Sequence, residues 1–329
     1  MTATTATQSS NTVPQLESDH AAIVAQTMPH DTATALSLEH IDPRLWAVAN
    51  GPLAARIRQV LVDLMIVHPH LVGLLNEVEW LIREPKRQRA RGDVFCGDPG
   101  SGKTSIAGHV KKKYPIDNPQ AVTSNKCPRV VSISMSGARS TKDVFKRILI
   151  ATGAPISRRY STSDHELIVV ETLRRMQCGL LILDEAQDIL QIAEREQLRV
   201  LETIKYLMNT VNLPVLALGT DPARMAFRAD PHLQARFEIH DMPRWTPGED
   251  FGAFLDALER CLPLRFPSNL SDIAIQNALI KKTDGIMDKV MNRIRAAAIE
   301  AMIDGSEHVT AQALLKGSAR PSIDVLGPH

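Results

Sequence analysis

The chain has 329 residues, of which 44% are hydrophobic, 23% charged and only 4% aromatic, and its formal net charge is +1. These values exclude a collagen-like, coiled-coil or wholly disordered chain, require a mainly aliphatic core, and speak against a strongly basic nucleic-acid binder. The charge is uneven, however. The first basic residue is Arg44, five acidic residues precede it, and residues 44–329 carry 38 basic against 32 acidic groups, a net of +6.

Residues 1–37 are rich in Thr, Ala, Ser and Gln with little apolar periodicity, so a disordered tail is expected there, with a short helix around residues 21–27. Residues 38–92 read as an N-terminal helical segment. Ile57, Val60, Leu61, Leu64 and Met65 predict a helix over 54–67, and Leu71, Leu74, Leu75, Val78 and Leu81 a second over 70–83. The His68-Pro69-His70 break has no third ligand nearby and reads as structural rather than metal-binding. Residues 93–245 alternate between short apolar runs (93–96, 129–135, 179–184, 214–219, 236–242) and helical stretches (101–113, 142–152, 164–177, 194–210). That alternation predicts an α/β core: a parallel five-stranded sheet covered on both faces. Residues 246–317 read as helices only (249–261, 271–283, 287–303, 310–316), with Ser271 and Thr310 as N-caps and Gly305 as a C-cap, and form a small all-helical lid subdomain. Residues 318–329 are expected to be a flexible C-terminal tail.

The four cysteines, Cys96, Cys127, Cys178 and Cys261, form no CxxC pair and read as reduced thiols. No apolar run reaches 18 residues and no basic-then-apolar leader opens the sequence. The expectation is a cytoplasmic protein with no membrane partner.

The strongest motif is GDPGSGKT: Gly97, Asp98, Pro99, Gly100, Ser101, Gly102, Lys103 and Thr104. It matches GxxxxGK[ST] and sits between an apolar strand and a helix, the context in which backbone N–H groups and a helix N-terminus converge on phosphate. Lys103 is expected to neutralise β- and γ-phosphate charge, Thr104 to offer its hydroxyl to magnesium, and the adjacent Ser105 to complete the nucleotide-binding set. A second signal is LLILDE, residues 180–185, an apolar strand ending in two carboxylates at the sheet edge where α/β ligands bind. Asp184 is expected to hold magnesium and Glu185 to orient or deprotonate the attacking water.

Phosphate loop, DE pair, sensor strand and helical lid in this order resemble an AAA+ P-loop ATPase. More narrowly, LETIKYLMN (201–209), PVLALGTDPA (214–223), ADPHLQARFEIHDMPRW (229–245) and TDGIMDKVMNRIRAAAIEAMIDGSEHVT (283–310) resemble the TniB family of transposition ATPases, relatives of TnsC and MuB. The resemblance implies ATP and Mg2+ as cofactors, Thr220 as the first sensor, and Arg236 as an arginine finger serving a neighbouring subunit. The second sensor, usually an arginine soon after a glycine, has only Lys289 as a candidate after Gly285, and its absence would fit weak hydrolysis. Ala186-Gln187 stands where that family commonly has Ile-His. The resemblance also implies a homo-oligomer that assembles around double-stranded DNA, contacts its backbone with little sequence preference, and hands the target to a DDE transposase, with a TniQ-like adaptor as a further partner. Arg139 and Lys142, in a loop near the family's pore-lining position, are the DNA-contact candidates, ahead of the basic link 86–91 and Lys111, Lys112 and Lys113. Two other readings stay open: a helicase or clamp loader resembling IstB or DnaC relatives, and a nucleotide-binding signalling scaffold.

Overall fold

The computed structural model describes residues 37–85, 89–116, 129–157, 159–316 and 325. The expectations for the tails 1–37 and 318–329, for the helix near 21–27, for Lys86 and Arg87 of the basic link and for Cys127 fall outside these residues, apart from Ser37 and Val325. The first elements among the described residues are a 3-10 turn, Pro43–Leu45, and helices α1 (Trp46–Ala49), α2 (Leu53–Leu61) and α3 (Pro69–Arg83). Then come β1 (Gly92–Gly97), α4 (Lys103–Lys113), β2 (Arg129–Ser134), α5 (Thr141–Thr152), α6 (Thr162–Arg175), β3 (Cys178–Asp184), a 3-10 segment (Ala186–Gln191) and α7 (Glu194–Thr210). β4 (Val215–Gly219), α8 (Asp221–Ala229), α9 (Pro231–Gln234) and β5 (Phe237–Met242) follow, and the last elements are α10 (Glu249–Glu259), α11 (Ile273–Thr283), α12 (Met287–Asp304) and α13 (Ala311–Leu315).

The five strands pair in parallel in the order β2-β3-β4-β1-β5. Side chains alternate across a strand, so each strand feeds two cores. Val94, Val131, Ile133, Leu181, Leu183 and Ala217 bury one face beneath α5, α6, α7 and α8. Phe95, Val130, Leu180, Ile182, Leu216 and Leu218 bury the other beneath α3 and α4. Burial on both faces makes the inner strands β1, β3 and β4 nearly continuous apolar runs, whereas the edge strands β2 and β5 are mixed; all five lie within a residue or two of their predicted bounds. Deleting one such side chain, as in Leu183→Ala, removes about 2–5 kcal/mol.

A third core joins α10, α11, α12 and α13, and it includes Ile57 and Val60 of α2. The tie is also polar. Arg56 on α2 donates to Glu307 through Nη1 (2.8 Å) and Nη2, and to the Pro263 carbonyl through Nε (3.1 Å) and Nη2 (2.9 Å). Thr310 and Gly305 cap α13 and α12 as expected, whereas Asp272 rather than Ser271 caps α11. The first predicted helix stops at Leu61 instead of reaching 67. Val62 turns extended (φ −63°, ψ 136°), its carbonyl accepts from Arg295 Nη2 (2.9 Å), and Pro69 opens α3 with His68 before it extended. Among the described residues no helix is long and apolar enough to cross a membrane.

Candidate functional site

β1 delivers the chain to the carboxyl edge of the sheet at Gly97, and α4 begins at Lys103. The loop between them has its backbone in the left-handed region at Gly100 (φ 81°), where a Cβ would stand 2.9 Å from the Asp288 Cβ. A non-glycine residue there meets both strain and a clash. Lys103, 7% exposed, donates to the carbonyls of Gly97 (2.8 Å) and Asp98 (2.7 Å) and to Ser101 Oγ (3.2 Å). Burial pulls its amine below the usual lysine range, against the opposing pull of Glu185, Asp184 and Asp98. The result is a buried cation inside a glycine-bearing loop at a helix N-terminus, an arrangement suited to phosphate.

β3 runs parallel to β1 with β4 between them, so its last residue lies at the same carboxyl edge. Thr104 Oγ1 donates to Asp184 Oδ2 across 3.1 Å, so a hydroxyl and a carboxylate meet beside the loop. Such hard oxygen donors fit a magnesium ion shared with phosphate oxygens. Glu185 follows in the left-handed region (φ 55°, ψ 42°), its N–H donating to Asp184 Oδ1 (2.9 Å). Thr220 ends the β4 connection and stands as the N-cap residue of α8 without a side-chain cap bond. Glu185, Thr220, Lys103 and Thr104 line one cavity of about 1330 Å³, as do Asp98, Pro99, Gly100, Ser101, Gly102 and Ser105.

The opposite wall was not legible in the sequence. Arg244 reaches back to Asp98 (Nε–Oδ2 2.6 Å, Nη2–Oδ1 3.2 Å) and holds that carboxyl below its usual range. The Asp288 N–H donates to the Gly100 carbonyl (2.9 Å), and Trp245 N–H to the Gly285 carbonyl (2.9 Å), so the start of α12 touches the loop directly. His68 packs edge-on against Trp245 (4.9 Å) and Phe254 (5.7 Å), while Trp245 stacks on Phe254 (5.0 Å). His68, His70, Trp245 and Phe254 all line the cavity. The histidine pair is thus an apolar-aromatic wall, and burial pushes His68 down to about 4.

Lys289 does not line this cavity. It sits 3.6 Å from Asp284 and is about half exposed, because the first turn of α12 presents Ile286, Met287 and Asp288 instead. The basic residue of α12 that does line the cavity is Arg295, two turns further on, whose Nε is buried without a partner among the described residues. Local motif spacing pointed to the residues after Gly285, and only the packing of α12 against residues 62–66 brings Arg295 in.

Arg236 immediately precedes β5, at the amino edge of the sheet, and its Nη1 donates to Asn209 Oδ1 on α7 (2.6 Å). A six-residue strand separates it from its own loop by about 20 Å. Arg139 lies exposed in the loop after the edge strand β2. Lys142 is half-buried and spends a donor on the Tyr160 carbonyl (2.7 Å). Lys113 is paired with Glu79 at 2.7 Å.

Comparison with known proteins places this geometry. The ORC2 protein of Aeropyrum pernix, solved as ADPNP-ADP complexes, is similar over 78% of this chain and 70% of its own, with a TM-score of 0.54 at 18% identity. The ORC1 protein of the same organism, solved in complex with DNA, matches at 0.56 over 78% of this chain and 67% of its own, at 16% identity. CDC6P from Pyrobaculum aerophilum matches at 0.55 over 76% and 67%, at 18% identity. At these identities the likeness establishes the fold, the AAA+ P-loop architecture. No curated protein matches the sequence. The family model described as bacterial TniB protein matches residues 56–247, more than half of the sequence, and the chain belongs to the TniB family.

Proposed function

We propose that the protein is a magnesium-dependent ATPase that oligomerises on double-stranded DNA and presents it as a target to a DDE transposase, with a TniQ-like adaptor as a further partner. The observation that carries this reading is the convergence of Lys103, Thr104 and Glu185 on one cavity beside a glycine-bearing helix N-terminus, with Asp184 bonded to Thr104. Family membership supports the transposition context, and the solved A. pernix ORC1 structure is described as a complex with DNA.

In this reading residues 93–245 form the nucleotide-binding core and 246–317 a lid over the cavity, while 1–37 and 318–329 flank them. The loop amides and Lys103 hold the phosphates. Thr104 and Asp184 would hold magnesium, which would supply neutralisation of phosphate charge. Glu185 orients the attacking water and takes its proton, and Thr220 contacts the γ-phosphate side. Arg236 is too far from its own loop to help there, so it acts on the nucleotide of a neighbouring copy. Arg139 is the better placed of the two DNA-contact candidates, because Lys142 already has an internal acceptor. Backbone contacts of this kind position DNA without reading its sequence.

Electron microscopy of the protein with duplex DNA and ATP tests the proposal. Filaments or rings that need both ligands are expected, and monodisperse monomers under those conditions overturn it.

A further inference from the structure

We propose that Gln187 is a positioning residue that couples the Glu185 carboxylate to the end of β4. This inference rests on the reading of Glu185 as the hydrolytic base. Gln187 lies in the 3-10 segment after β3, and its side chain bridges two parts of the cavity wall. Its Nε2 donates to Glu185 Oε2, and its Oε1 accepts from the Thr220 N–H at 3.1 Å. The amide can sit only one way round. The Thr220 N–H is purely a donor and an ionised Glu185 purely an acceptor, so a flipped amide would lose both bonds.

The surroundings are shaped for this bridge. A Cβ on Gly219 would stand 2.9 Å from Gln187 Oε1 and 2.6 Å from the Ala223 Cβ, so the absence of a side chain at the end of β4 is what admits the amide. Glu185 itself is held in a backbone region that non-glycine residues rarely adopt (φ 55°). Its N–H is fixed by Asp184 Oδ1 at 2.9 Å and its carbonyl accepts from the Asp188 N–H at 3.0 Å. With the backbone pinned on both sides, the side-chain rotamer is the remaining freedom, and Gln187 removes it. Only Oε2 is used, and among the described residues Oε1 accepts no hydrogen bond.

Thr220 lines the same cavity, at the junction of β4 and α8. A shift of its backbone moves the Oε1 acceptor, and through the rigid amide plane moves the Glu185 carboxylate. The placement of the base therefore follows the state of the β4–α8 junction without any change in the phosphate loop. Losing the bridge should lower the rate of the chemical step and leave nucleotide affinity intact, because Gln187 touches none of the loop groups that hold phosphate.

The test is steady-state ATP turnover with Mg2+ and duplex DNA, alongside titration with a fluorescent ATP analogue, for the full chain and three variants. Gln187→Leu should lower kcat at least about 10-fold with the analogue affinity and KM within about 2-fold, the split expected when an interaction made in the transition state is lost. Gln187→Glu, nearly isosteric and able to keep the Thr220 bond, sets a carboxylate against Glu185 and should lower kcat by at least as much; it also serves if the leucine variant does not fold. Gln187→His, in which one ring nitrogen accepts from Thr220 while the other donates to Glu185, should recover most of what Gln187→Leu loses. Wild-type kcat in Gln187→Leu or Gln187→Glu overturns the proposal, as does a loss confined to nucleotide affinity. If the wild-type chain itself does not turn ATP over, the ATPase reading fails and this inference with it; turnover by wild type together with unaffected variants removes only the coupling.

Discussion

The Thr104 hydroxyl donates to Asp184 Oδ2 across 3.1 Å, joining the first turn of α4 to the last residue of β3. Two oxygen atoms from positions 80 residues apart in sequence are thus already within hydrogen-bonding distance, and the proposed cation would sit between them and a phosphate. Asp184→Asn and Thr104→Ala should each abolish the gain in ATP-analogue affinity on adding Mg2+, while Lys103→Ala should lose binding with or without the ion. Titrations in Mg2+ and in EDTA separate the two effects. A Mg2+ response of wild-type size in both of the first two variants would remove this pair from the metal site.

Glu185→Gln keeps the size and hydrogen-bonding reach of the side chain but removes its basicity. Turnover should fall about 10²–10⁴-fold, the usual contribution of a positioned base, with nucleotide binding retained. The protein should then accumulate on DNA in the presence of ATP, which sedimentation with a long duplex would register. Turnover at the wild-type rate would show that another group activates the water.

Arg236 is anchored to Asn209 Oδ1 at the amino edge of the sheet, the end remote from its own loop. Arg236→Ala should therefore leave dilute, DNA-free turnover unchanged and lower turnover about 10³-fold or more in the assembled state, the scale of an arginine finger. Turnover measured across protein concentration, with and without duplex DNA, gives the comparison. An equal loss at every concentration would count against action on a neighbouring copy.

His68 provides a pH-dependent term with a definite sign. Burial holds it down to about 4, with His70 adding to the effect and Asp250 opposing it, against 6.5 for an ordinary histidine. The unfolded chain thus binds the extra proton first. The stability due to neutral His68 is fully present above about pH 6.5 and is lost as the pH falls towards 4. His68 also accepts from the Leu71 N–H (3.4 Å) as the N-cap residue of α3. Replacement by Asn keeps an acceptor there without the titration, so urea unfolding of His68→Asn should show a flatter pH dependence between 4 and 6.5 than wild type. Parallel curves would assign the dependence to other groups.

The Arg56–Glu307 pair is nearly inaccessible, with side-chain exposures of 3% and 8%. Removing one partner leaves the other charged and buried, so Arg56→Met or Glu307→Gln alone should cost about 3–5 kcal/mol in urea unfolding, whereas replacing both by apolar residues should cost much less. Additive losses would mean that the two charges are stabilised independently.

What the sequence disclosed follows from how local each feature is. Strands β1, β3 and β4 were legible because burial on both faces writes itself as consecutive apolar residues, and the phosphate loop because its glycines and Lys103 are contiguous. The end of α2 is hidden because Leu64, Met65 and Ile66 continue the apolar spacing while lying in a non-helical stretch that lines the cavity. Apolar residues in register with a helix say that they are buried, not that the helix goes on. Arg295 and Arg244 leave no local signal for a related reason: each acts on residues 146 or more positions away. The four-residue α9 and the 3-10 segment after Asp184 are set by turns and caps too brief to leave a period, whereas the nine-residue α8 does bury Ala223, Ala226 and Phe227 at helical spacing.

The helical core that contains α10–α13 takes two of its apolar residues, Ile57 and Val60, and its buried arginine from α2. During synthesis α2 emerges some 250 residues before Glu307, the residue that neutralises Arg56. Its partners do not exist while the sheet is being made, and contacts of such long sequence separation are slow to close. The sheet can form around its own strands first, with α2 waiting as an unpaired amphipathic segment until the chain beyond α12 has left the ribosome. The α12 side of the cavity wall can therefore close only after the sheet that carries the phosphate loop.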